Sequence, residues 1–218
     1  MKRYIALLRG INISGKNKVV MAELKKEFES LKFEDVKTYL NSGNVIFSSR
    51  ENIEKITKQI EEMLKKNYDF KIPVFVLEQE KLKDILEHAP IWWGSDDKMI
   101  YDNLIFMIPP VTFKEVFEEI GEAKEGLEKI QNYKDVIFWS FNRKDYQKTN
   151  WWPKTANTNV SKKLTIRTAN TVRTLRGFLE GYVLLVNHRA FGHPLSIQKS
   201  FDFSLNILIN GVKNMEGK

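Results

Sequence analysis

The stretch VKTYL-NSGN-VIF, residues 36–47, restricts the fold more than any other part of the chain. Val36–Leu40 and Val45–Phe47 are short strand-like runs, and Asn41-Ser42-Gly43-Asn44 between them is a tight turn. Gly and Asn tolerate the positive φ that such a turn needs. Strands joined this closely pair antiparallel, because a parallel pair needs a crossover of roughly a dozen residues. The flanking chain falls into order around this hairpin. Tyr4–Leu8 is an apolar run that reads as a buried strand. Met21, Leu24, Phe28 and Leu31 recur at helical spacing. Ser48 and Glu51 have capping-box spacing and open a helix to about Lys66, with Ile53, Ile56, Ile60 and Leu64 on one face. Ile72–Leu77 reads as a further strand, which Pro73 confines to a sheet edge. Strand, helix, strand, strand, helix, strand is the ferredoxin-like unit.

A second series follows. Glu78–His88 reads as a connecting helix closed by Pro90, and residues 91–102 as a linker or packing lid. Asn103–Ile108 is strand-like and stops at Pro109-Pro110. Thr112 and Glu115 again have capping-box spacing, ahead of the stripe Phe113, Val116, Phe117 and Ile120. Val136–Phe141 reads as a strand, Asn142–Asp145 as a turn and Tyr146–Trp151 as the return. Residues 155–163 suggest a short helix, Thr165–Arg167 a last strand, and Asn170–Leu179 a basic amphipathic helix. The expected fold is α+β: two ferredoxin-like (βαββαβ) halves with antiparallel sheets, over 1–78 and 103–181. Residues 79–102 join them, and a C-terminal extension spans 182–218. Within that extension YVLLV reads as a strand and Ser204–Val212 as strand or helix.

The apolar fraction of 42% is enough for a packed core. There is no cysteine, which removes disulfides, thiolate metal sites and cysteine nucleophiles, and suits a reducing cytosol. The apolar run after Met1-Lys2-Arg3 is too short for a signal peptide, and no run approaches a membrane span. A soluble cytoplasmic protein without membrane contact is expected. The net charge of +7 is uneven: residues 151–218 hold ten Lys or Arg against three Asp or Glu. A basic third of this kind serves either a polyanionic partner or solubility.

The loop after the first strand is the strongest candidate site. Gly10, Gly15 and Lys16 fit the G-x-x-x-x-G-K of a phosphate-cradling P-loop. Asn17 stands where the magnesium-binding Ser or Thr belongs, the next helix starts late, and the hairpin implies an antiparallel sheet rather than the parallel sheet of P-loop enzymes. Topology offers a better reading. In a ferredoxin-like unit the first two strands run parallel, so the loop 9–18 and the turn 41–44 leave the sheet at the same end. Arg9, Gly10, Asn12, Gly15, Lys16, Asn17 and Lys18 would then share one rim with Asn41, Ser42 and Asn44. Arg9 and Lys16 would supply charge, the Gly10 and Gly15 backbones N–H donors, and Asn12 and Asn44 orientation for a small anion. The alternative is that these polar residues serve only their own backbone.

A second reading is nucleic-acid binding through Lys162, Lys163, Arg167, Arg173 and Arg176, and a third is a structural or protein-interaction module. Trp92-Trp93 and Trp151-Trp152 are able to stack on bases, although packing is the simpler use of large aromatics. The third strand, NVIFSS, lacks the Gly/aromatic signature of RNA-binding ferredoxin-like sheets. His88, His188 and His193 have no ligand-pair spacing and no acidic cluster, so no metal site is expected. No cofactor motif, nucleophile–base pair or oligomeric state is readable.

The strings ALLRGIN-x-x-GKNK, the Met-Ala-Glu-Leu helix start and TYLNSGNVIF together resemble the bacterial family catalogued as domain of unknown function 1697. Its members commonly open RGINVGGKN and carry TY-x-x-SGNV-x-F. The likeness runs roughly from Tyr4 to Leu179. It implies a ferredoxin-like α+β architecture and, because the family has no established activity, no function. The family's late Arg-Asn-Trp-Asn-Thr-Val motif is similar to Arg167-Thr168-Ala169-Asn170-Thr171-Val172, where the Arg, second Asn, Thr and Val are kept.

Overall fold

The computed structural model describes residues 1–13 and 15–180. The readings made for 182–218, with His188 and His193, lie outside these. The first half contains β1 (Lys2–Leu8), α1 (Met21–Ser30), β2 (Glu34–Tyr39), β3 (Asn44–Ser49), α2 (Ile53–Asn67) and β4 (Val74–Glu78). The second contains β5 (Ile100–Met107), α4 (Phe113–Ile120), β6 (Glu128–Tyr133), β7 (Val136–Asn142), α5 (Trp151–Asn157) and β8 (Leu164–Thr168), after α3 (Gln79–Glu87). A further helix, α6, covers Ala169–Glu180. Each half forms a four-stranded sheet, ordered β2-β3-β1-β4 and β6-β7-β5-β8. All ladders are antiparallel. Because β1 and β2 each run antiparallel to β3, they run parallel to one another.

In the first half Tyr4, Ala6 and Leu8 pack with Leu24 and Phe28 of α1 and Ile56 and Ile60 of α2. Ile5 and Leu7 point to the other face and are equally buried. All six residues of β3 are buried, as are the first six of β7. An antiparallel sheet buried on both faces has a second layer behind it. Here that layer is the other sheet: the Phe75 ring of β4 meets the Phe106 ring of β5 at 5.4 Å between centroids. Helices cover the outer faces and the sheets share an inner one. As the sequence implied, β4 is an edge strand, and the carbonyl of Pro73 accepts the Arg9 N–H at 2.9 Å.

Some local readings require correction. The cap of α2 is Asn52, whose side chain accepts from Lys55 N at 2.9 Å, not Ser48. Ser48 is buried within β3, opposite Arg3 and Glu34, and so is not free to cap. The second hairpin is β6–β7, closing before Val136–Phe141 rather than after it. Tyr146–Trp151 is not a strand. Arg143–Lys148 is a 3-10 helix, started by the Asn142 side chain accepting Lys144 N, and α5 follows at once. The helix expected over 155–163 is therefore divided between α5 and a 3-10 turn at Val160–Lys163. The Thr112–Glu115 capping box at the start of α4 is present as read. β5 begins at Ile100, and the loop before it is pinned by Trp93, whose indole donates to the Asn103 carbonyl at 2.7 Å.

Candidate functional site

The loop after β1 and the turn after β2 are in direct contact. Leu8 N donates to the Gly43 carbonyl at 2.8 Å. Gly43 lies at φ +77°, and a Cβ there would fall 2.7 Å from Leu8 Cβ and 2.9 Å from Ile11 Cδ1. Only glycine supplies both the backbone angle and the close approach. Ile11 is buried beneath the turn.

The loop reverses on itself through positive φ at Gly10, Asn12, Gly15 and Asn17. Asn12 N donates to the Asn17 carbonyl at 2.9 Å, Lys16 N to that of Ile13 at 2.9 Å, and Asn17 Nδ2 to that of Gly10 at 2.9 Å. Asn12 ties the loop to its surroundings. Its Oδ1 accepts Val19 N at 2.8 Å, and its Nδ2 donates to the Val19 and Asn41 carbonyls, both at 3.0 Å. Asn44 is fully buried; its Nδ2 donates to the Tyr39 carbonyl at 2.8 Å and to Ser42 Oγ at 3.0 Å. The carboxamides of Asn12, Asn17 and Asn44 are thus engaged in building the rim. Lys16, Asn17, Lys18, Asn41 and Ser42 are exposed around it. Neither the Gly10 nor the Gly15 N–H meets an acceptor among the described residues.

Behind the turn stands a residue the sequence placed elsewhere. Arg167 of β8 is only 7% exposed. Its Nε donates to Asn44 Oδ1 at 2.5 Å, its Nη2 to the carbonyls of Leu8 (2.8 Å), Ser42 (2.9 Å) and Gly43 (3.3 Å), and its Nη1 to Thr165 Oγ1 (2.8 Å) and the Ile166 carbonyl (2.9 Å). Reading it as a surface contact for nucleic acid is therefore corrected: its guanidinium faces inward and its donors are taken. Burial, and secondarily the charge of Arg9, push its pKa down to about 10, which still leaves it protonated at neutral pH. Arg9 is half-buried, donates through Nη1 to the Leu164 carbonyl, and is lowered by burial alone. No carboxylate pairs with Arg9, Lys16, Lys18 or Arg167 among the described residues.

Of the remaining basic set, Lys162 and Lys163 are exposed on the 3-10 turn before Leu164. Arg176 pairs with Glu180 within α6 at 2.7 Å, and Arg173 is half-exposed on the same helix. His88 stacks on Tyr133 at 4.4 Å. Among the described residues no three His, Asp or Glu side chains gather, and no helix is long and apolar enough to cross a membrane. The one sequence signal for Arg167 at the rim is its retention in the late Arg-x-x-Asn-Thr-Val pattern.

The family described as "Protein of unknown function (DUF1697)" matches residues 1–138. Among solved structures the chain is similar to conserved bacterial protein SP0830 from Streptococcus pneumoniae. Identity is 31%, the match covers 82% of this chain and 98% of that one, and the TM-score is 0.74. No curated protein matches the chain.

Proposed function

The chain belongs to the DUF1697 family of proteins of unknown function, and from that premise we propose that it binds a small phosphate- or carboxylate-bearing ligand at the rim of loop 9–18 and turn 41–44. The observation that carries this reading is uncompensated positive charge. Arg167 holds one buried charge against the turn, Arg9 sets a second, half-buried one nearby, and Lys16 and Lys18 add two exposed ones, with no acid among the described residues paired to any of them. A desolvated cation without a counterion gains more from an anion than an exposed one does. Arg9, Lys16 and Lys18 supply the charge. The Gly10 and Gly15 N–H groups supply donors, and the Asn41 and Ser42 side chains border the ligand. Asn12, Asn17 and Asn44 act indirectly, by fixing the loop. The absence of cysteine and the likeness to a bacterial protein support the bacterial cytoplasm as its compartment.

Thermal unfolding in sodium phosphate, against sodium chloride at matched ionic strength, tests the proposal. A specific site gives stabilisation that grows with the logarithm of phosphate concentration, reaching about 2.7 kcal/mol at one hundred times Kd. Replacing both Lys16 and Lys18 by alanine removes most of that gain and leaves ligand-free stability within about 0.5 kcal/mol, since both are exposed. Equal effects of the two salts, or a phosphate response indifferent to the double replacement, overturn it.

A further inference from the structure

The second half carries a pocket separate from the rim, and of its lining only Tyr101 falls within the residues matched to the family. Tyr101 of β5, Phe141 of β7, Arg143 and Tyr146 of the 3-10 turn, and Trp152 of α5 line an open recess of about 260 Å³. The adjacent tryptophans divide here: Trp151 is fully buried in the core, while Trp152 is 38% exposed. The rings meet edge to face. Tyr101 and Phe141 are 5.4 Å apart at 88°, Phe141 and Trp152 5.7 Å at 71°, and Tyr146 and Trp152 4.9 Å at 78°. The Arg143 guanidinium lies 4.8 Å above the Tyr101 ring. Among the described residues the Trp152 indole N–H, the Tyr101 hydroxyl and the Arg143 guanidinium have no hydrogen-bond partner.

We infer that this pocket takes one planar heterocycle carrying a phosphate, the chemistry of a nucleotide. Edge-to-face packing leaves ring faces for a flat guest to stack on. The volume holds a single base. A quaternary ammonium guest, the usual occupant of an aromatic box, is repelled by Arg143, which already covers the Tyr101 face. A plain hydrocarbon would leave three donors at the mouth without acceptors, which is costly on desolvation. A base offers acceptors on its edge, and its phosphate meets Arg143 and the exposed Lys144. Lys148 on the same turn is already paired with Asp145 at 2.8 Å. The guest is supplied either by a free mononucleotide or by a single-stranded nucleic acid.

Titration of the full chain with adenosine monophosphate, adenosine, ribose 5-phosphate and a short single-stranded oligonucleotide, followed by calorimetry, tests this. Adenosine monophosphate binds saturably. Trp152→Leu weakens it roughly tenfold or more, as expected for loss of a base stack, and Trp152→Phe restores most of the affinity if the loss is one of stacking rather than of folding. Arg143→Gln weakens adenosine monophosphate and leaves adenosine unchanged. The Lys16 and Lys18 replacements at the rim alter none of this, so failure here and failure at the rim are distinguishable. An oligonucleotide that binds far more tightly, with a steep salt dependence, identifies nucleic acid as the source; equal affinity identifies the free nucleotide. No saturable binding, or binding indifferent to both Trp152→Leu and Arg143→Gln, overturns the proposal.

Discussion

Arg167 brings a formal charge into the interior with no acid among the described residues paired to it, and six oxygens replace the water it loses. Four of those oxygens belong to Leu8, Ser42, Gly43 and Asn44 in the first half. Removing the guanidinium would take a donor from each, and although the Gly43 carbonyl keeps the Leu8 N–H, each acceptor left unpaired costs about 1–3 kcal/mol. Arg167→Met is therefore expected to cost about 3 kcal/mol in urea unfolding, a few unpaired acceptors less the desolvation cost of the lone charge it removes. Arg167→Lys keeps the charge without the planar fork and recovers only part of it. A loss below about 1 kcal/mol for Arg167→Met would mean that its hydrogen bonds do not hold the turn in place. Sequence alone assigned Arg167 to a basic surface because its chief partner, Asn44, is 123 residues away. Burial by a distant turn leaves no local pattern. The rim lysines, by contrast, lie in a loop whose glycines and asparagines announce its shape, and they are exposed as a cationic loop suggests.

Among the elements, the β2–β3 hairpin was legible because its turn residues are the ones its geometry demands. Gly43 has positive φ and Leu8 Cβ at its back. The second hairpin was not legible. β6 is EKIQNY, an edge strand whose only aliphatic residue is Ile130, and its turn passes through Lys134 at φ +48°. A polar edge strand with a lysine in the left-handed region has neither the apolar alternation nor the Gly/Asn signal of a hairpin. The 3-10 turn and α5 were missed for a related reason: a short helix capped by Asn142, followed by one that opens at Trp151 with no side-chain cap, resembles a turn followed by an aromatic strand. The strictness of the first turn is measurable. Gly43→Ala adds backbone strain and a clash with Leu8 and Ile11, for an expected loss of about 3 kcal/mol or more. Gly126→Ala, at φ +74° with open space around it, carries the strain alone, about 1 kcal/mol. Equal losses in chemical denaturation would mean that the contact with β1 contributes nothing.

Across the two sheets, apolar surface rather than charge decides whether the halves stand alone. The polar contacts between α3, the helix that joins the halves, and the β6–β7 hairpin include Lys81 with Asp135, and Asp84 with Lys134 and Tyr133. Their side chains are largely between one-third and one-half exposed, where an ion pair contributes about 0–1 kcal/mol. The inner faces hold Ile5, Leu7, Ile46, Phe75 and Leu77 against Leu104, Phe106, Val136 and Phe138, all buried. Separating the sheets would expose a larger apolar patch than a soluble surface usually carries. The two halves should therefore unfold together, although each has its own complete βαββαβ order. The distribution of tryptophan makes this testable. All five lie from Trp92 to Trp152, three in the second half and two in the segment before it, where Trp93 packs on Phe138 of β7, so tryptophan fluorescence reports chiefly the second half. Phe47 is fully buried in the core of the first half, stacked 4.5 Å from Phe33. Phe47→Ala should cost about 3–5 kcal/mol as a large-to-small core replacement. If burial between the sheets couples them, the fluorescence midpoint in urea falls by the same amount as the far-ultraviolet circular dichroism midpoint. A fluorescence transition that stays in place while circular dichroism shifts or divides would make the halves independent. The rim, whose turn comes from the first half and whose buried arginine comes from the second, would then be an association between separately stable units rather than a built site.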